Sequence, residues 1–130
     1  MSENVQLVER MYAAFDAGDA TGSLSYFAED VVVDATNARP DAPVGRGREA
    51  LARIVGQWTS TFDGWSETIE DIRDLGNSVF VQSTQRGRAN DSGVDAEARY
   101  AMLYDVSDGV ITGVRMFRNP EEALRSTGAD

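Results

Sequence analysis

The chain contains no cysteine and no histidine. Disulfides, thiolate nucleophiles, imidazole bases and Cys/His metal sites are therefore excluded at once. Lysine is missing as well, so every basic residue is an arginine. Basic residues are few as a class, 12 against 22 acidic ones, for a net charge of −10. A protein that grips a phosphate backbone needs a positive footprint, and so does one that docks on anionic lipid. Neither nucleic acid nor membrane is expected as a partner. The acidity reads as a solubility device. No apolar run reaches the length of a signal-peptide core or a membrane span, and a cytoplasmic location in a prokaryote is the expectation. The glycines form no phosphate-cradling turn between a strand and a helix. Asp91, Asp95, Glu97, Glu67, Glu70 and Asp71 show no calcium-loop or divalent-site spacing and are read as solvated. No cofactor and no metal are expected.

What is present fits one globular domain spanning 1–130. At 130 residues and 42% hydrophobic content, the chain can bury a core of its own. Val5, Val8, Met11, Tyr12 and Phe15 recur at helical spacing, which predicts a first helix over about 3–17 with Ser2 as N-cap and Gly18 as stop. A short second helix is expected near 20–27. The β-branched run Val31-Val32-Val33 predicts a strand at 30–36. Residues 37–47 are turn-rich, with room for a short strand at Ala42–Gly45. From Arg48 the pattern is helical again, with Leu51, Ile54, Val55 and Trp58 on one face. The second half reads as strands near 65–75, 78–89, 94–106 and 110–118, and Pro120 opens a final helix.

Strand alternation assigns faces. Val94, Ala96, Ala98, Tyr100, Met102, Tyr104 and Val106 form the drier face of their strand. A tight turn at Ser107-Asp108-Gly109 would set Val106 opposite Val110, Met102 opposite Val114 and Tyr100 opposite Met116. Met102 and Met116 then share the face that meets the helices. The other face carries Ala101, Leu103, Ile111 and Phe117 with Arg99 and Arg115. It is apolar enough to suggest a homodimer packed through the outer sheet face, with Leu103 at the contact. The two arginines there are expected to pair with acids.

Several segments carry a resemblance. They are Val8-Glu9-Arg10-Met11-Tyr12-Ala13-Ala14-Phe15-Asp16-Ala17-Gly18-Asp19, Phe27-Ala28-Glu29-Asp30-Val31, Gly45-Arg46-Gly47-Arg48-Glu49-Ala50-Leu51, and the ending Arg115-Met116-Phe117 with Pro120-Glu121-Glu122-Ala123-Leu124. In this order of elements they resemble the SnoaL-like branch of the nuclear transport factor two-like superfamily over essentially the whole chain. The resemblance implies an α+β fold, a cone-shaped, strongly curved, mostly antiparallel sheet with helices closing an internal cavity. Relatives of that kind include ketosteroid isomerases, polyketide cyclases and limonene-type epoxide hydrolases, so the fold does not name the activity.

The resemblance also places catalytic positions. The isomerases' oxyanion tyrosine falls on Met11, with Tyr12 next to it. Their basic aspartate falls on Ala35, with Asp34 beside it, and their second oxyanion donor on Met102. The cyclases' and epoxide hydrolases' last-strand aspartate falls on Met116. A thioether is neither a base nor a donor, so the usual chemistries lose their groups. Asp34 remains as the candidate catalytic acid or base, with a pKa raised by an apolar cavity. Its alternative is a solvated Asp at a strand end. Met11, Met102 and Met116 would line the cavity as a soft apolar wall, or fill core. Tyr12, Tyr100 and Tyr104 could meet a ligand, or find backbone partners. Phe15 and Trp58 join the candidate ligand-binding set, whereas Trp65 is read as structural. The expected function is binding of a small apolar or polycyclic molecule, with isomerase-, cyclase- or hydrolase-like chemistry as one option. A non-catalytic homodimeric ligand-sensing or interaction module is the other.

Overall fold

In the computed structural model, which describes residues 2–42 and 44–128, four helices pack on a curved six-stranded sheet. The elements run α1 (Glu3–Asp16), α2 (Ala20–Leu24), β1 (Phe27–Asp34), β2 (Val44–Arg46), α3 (Arg48–Ser60), β3 (Phe62–Asp74), β4 (Ser78–Ala89), β5 (Asp95–Ser107), β6 (Val110–Phe117) and α4 (Pro120–Ser126). Strand order is β2-β1-β6-β5-β4-β3, antiparallel except for the parallel β1–β6 pair. The sheet does not close into a barrel. The α+β class and the curved, mostly antiparallel sheet are as expected. Among the described residues no helix is long and apolar enough to cross a membrane.

Local chemistry accounts for the boundaries. The Ser2 hydroxyl accepts from the Val5 N–H and starts α1, whose positions 7, 8, 11 and 12 are buried, the spacing of one helical face. Asn119 caps α4 through the Glu121 N–H, with Pro120 in the first turn. The second helix is shorter than expected. It stops at Leu24, and Phe27 already pairs with Ile111 as the first residue of β1, so that strand starts earlier and ends at Asp34. The short strand lies at Val44–Arg46; of the stretch proposed for it, Pro43 falls outside the described residues.

The β5–β6 register corrects the expectation twice. Asp108 and Gly109 both take positive φ, 52° and 77°, so the connection is a two-residue turn and Ser107, not Val106, faces Val110. A bulge then places Thr112 as an extra residue, between the pairs Val106↔Ile111 and Asp105↔Gly113. Beyond it Tyr104 meets Val114, and Met102 lies directly opposite Met116. Ile111, expected outside, is fully buried in the main core. Val94, expected inside, precedes β5 and is 61% exposed.

Two apolar clusters result. The main one joins α1 and α3 to the inner sheet face, around Val8, Val31, Leu51, Val79 and Val81. The smaller lies on the outer face, where Phe80, Ala101, Leu103 and Phe117 are covered by Ala123 of α4. The residues offered by the sequence to a second copy are thus covered by the chain's own last helix. Arg99 and Arg115 do lie beyond them, paired with Glu70 and Asp105.

Candidate functional site

Between α1, α3 and the inner sheet face is a cavity of about 310 Å³, at the small end of ligand pockets. Helix α1 contributes the buried Met11 and Tyr12 and, one turn after Met11, the half-buried Phe15. Helix α3 contributes Leu51, Ile54, Val55 and Trp58, the stripe legible from its periodicity. The sheet closes the floor with Met102, Met116 and Val114, and with Trp65, expected from the sequence to be structural. Tyr100 does not line the cavity. It is buried behind Trp58, with its ring edge-on at 5.8 Å.

The lining carries a hydrogen-bonding group made of Tyr12, Tyr104, Glu67 and Gln85. The Tyr12 and Tyr104 hydroxyls are 2.5 Å apart. One donates to the other, so the accepting phenol keeps its own hydrogen for another partner. Burial pushes both phenols upward in pKa, and the charge of Glu67 pushes both further. Neither ionises under ordinary conditions, and the pair acts as a hydrogen-bonding unit.

Glu67 corrects the view of it as a solvated acid. On β3 it shares a face with Trp65, two residues before it, and pairs across the ladder with Gln85. Its Oε2 accepts from the Ser83 hydroxyl at 2.6 Å and the Gln85 amide at 3.3 Å. Desolvation raises its pKa from the ordinary glutamate value, against the lowering effect of those two bonds; Asp16 adds a smaller push upward. The Gln85 carbonyl accepts from both indoles, Trp58 Nε1 at 2.6 Å and Trp65 Nε1 at 3.4 Å. One buried amide therefore ties two aromatic walls to the carboxylate. The available signal was the alternation itself: once Trp65 is inside, Glu67 must follow.

Asp34 lies at the rim, and its environment is the reverse of the one expected. Its Oδ1 accepts from the Thr36 N–H at 2.9 Å and the Thr36 hydroxyl at 2.6 Å. These bonds, the side-chain one first, hold its pKa below the usual value, with help from the charge of Arg115. It is an ionised turn-forming carboxylate. Ala35, beside it, does line the cavity. Among the described residues no group of acidic side chains is arranged to hold a metal ion.

The SnoaL-like domain family matches residues 8–114. The chain belongs to that family. Among relatives of this SnoaL-like chain, the uncharacterised protein Rv0034 of Mycobacterium tuberculosis is 29% identical over 124 residues, covering 95% of this chain and 94% of that one. An NTF2-like protein of unknown function from Burkholderia pseudomallei superposes with a TM-score of 0.80 at 20% identity, over 99% of this chain and 100% of the other. A candidate polyketide cyclase from Xanthomonas campestris pv. campestris superposes at 0.71 with 26% identity, over 96% of each chain. The SnoaL-like fold read from the motifs is the fold observed.

Proposed function

We propose that this SnoaL-like chain binds a small, mostly apolar molecule in the cavity between α1, α3 and the sheet. The observation that carries the reading is the cavity's division of labour. Its walls are mostly thioether, aliphatic and aromatic side chains, while the Tyr12–Tyr104 pair and Glu67, whose charge acts on both phenols, can orient one polar end of a ligand. The architecture shared with the Xanthomonas candidate cyclase supports a ligand of ring-bearing type. The test is native mass spectrometry of the purified chain and a thermal-shift screen of apolar and polycyclic compounds, on wild type and on Met102→Trp, which fills the floor. A ligand should raise the melting temperature of wild type and not of the variant. A screen in which nothing shifts wild type rejects the reading.

A second reading, proton-transfer chemistry of isomerase, cyclase or hydrolase type, is favoured by Glu67. A carboxyl whose pKa is raised by burial is a stronger proton acceptor than a solvated one, and a phenol O–H nearby can donate to an oxygen that gains charge. Glu67 replaces Asp34 in this role. Once a ligand is known, solvent deuterium incorporation into it should fall at least about 100-fold in Glu67→Gln and stay unchanged in Asp34→Ala. Equal loss in both variants would remove Glu67 from the chemistry.

A further inference from the structure

The cavity carries a sign. None of the chain's 12 basic residues lines it, whereas Asp34 and Glu67 do. Asp34 is engaged by Thr36 at the rim, with the charge of Arg115 near it. Glu67 is not in any ion pair among the described residues. Its Oε2 holds two donors, Ser83 and Gln85, and its Oε1 has no hydrogen-bond partner among the described residues. Gln85 sets this half-used carboxylate one amide group away from the indoles of Trp58 and Trp65, and Phe15 packs edge-on to Trp65 at 5.8 Å. A carboxylate beside aromatic rings favours a cation through its charge and through the rings' electron-rich faces, and the Trp58 ring already carries one, the Arg39 guanidinium at 4.9 Å. The net charge of −10 adds a field of the same sign, which disfavours an anionic ligand.

We infer that the ligand's polar end is a protonated amine, an alkyl- or arylalkylammonium whose N–H donates to Glu67 Oε1 while its apolar body lies against Met102, Met116 and Leu51. The inference rests on the ligand-binding reading above and adds the ligand's charge class. It gives Glu67 a counter-ion that the chain itself does not supply. An ammonium also brings several donors, enough to reach the lone pairs of the Tyr12–Tyr104 pair as well.

Three isosteric probes separate the claims: 1-naphthylmethylamine, 1-naphthalenemethanol and 1-naphthoic acid, cationic, neutral and anionic near pH 7.5. Isothermal titration on the full chain should show the amine binding at least about tenfold tighter than the alcohol, and the acid weakest. In Glu67→Gln, whose amide oxygen can still accept from Ser83 and Gln85, the amine-to-alcohol ratio should fall to about one, with the alcohol's affinity kept. Asp16→Asn should leave the ratio within about twofold, since Asp16 only faces Glu67 from α1. Equal affinity of amine and alcohol in wild type overturns the inference and spares the apolar-ligand reading. An amine preference that survives in Glu67→Gln also overturns it. Failure of all three probes overturns the inference, while the apolar-ligand reading stands or falls by the wider screen. Should Glu67→Gln not fold, the wild-type ratio still decides.

Discussion

Glu67 and Asp34 are both carboxylates at the same cavity, and their surroundings push them in opposite directions. Burial raises the Glu67 pKa above its unfolded value, so the fold tolerates it best protonated. The stability linked to it is complete below the unfolded pKa and is lost as pH rises through the folded one. Glu67→Gln should therefore melt higher than wild type at pH 7.5 in calorimetry, and the advantage should shrink toward acid. Such a gain at the expense of ligand binding is the usual mark of a site residue. Asp34 has a depressed pKa, and its contribution is present above the unfolded value and lost as pH falls through the folded one. Because water screens this open group, Asp34→Ala should cost no more than about 1 kcal/mol at neutral pH, with the deficit closing in acid. The sequence pointed to Asp34 as the acid of the cavity, and the structure adds a second one, Glu67, in the lining. The Asp34-Ala35-Thr36 spacing already describes a side chain bonded two residues on, whereas the burial of Glu67 depends on Gln85 and Ser83, distant in sequence and brought in by the β3–β4 ladder.

At the scale of elements, the β5–β6 hairpin shows why a partly wrong register still placed two methionines correctly. The turn is one residue shorter than expected and the bulge at Thr112 adds one. Together they displace β6 by two positions, and side chains repeat every two, so Met116 keeps its face and merely moves to sit opposite Met102. Below the bulge the correction is odd, and Ile111 changes face. No composition signal marks the bulge, yet its partner Gly113 is conspicuous: a Cβ there would stand 2.8 Å from Asp105 Oδ2. Asp105 accepts from Ser78 at 2.6 Å and from Arg115 at 2.8 Å. Gly113→Ala should displace that carboxylate and cost about 1–3 kcal/mol in urea unfolding, with the cavity unaltered. A neutral result would show that the strand can shift to make room.

For the molecule as a whole, the helix order, the strand count and the inner face of α3 were legible because period and turn chemistry are local. The docking of α4 was not, because its seven residues give too short a pattern to reveal which surface they cover. Its consequence is that Leu103, fully buried in the smaller cluster, is a core residue. Leu103→Ala should cost about 2–5 kcal/mol, and light scattering should give it the same mass as wild type. A change of mass would return Leu103 to an intermolecular contact. The shared hydrogen-bond acceptor of the two indoles has a further use. The chain has only two tryptophans, and both line the cavity and hang their N–H groups on the same Gln85 oxygen, while Arg39 lies over one of them at 4.9 Å. All of the protein's indole fluorescence therefore originates in the walls of this cavity, so an occupant should announce itself by a change in emission wavelength or yield, without any attached dye.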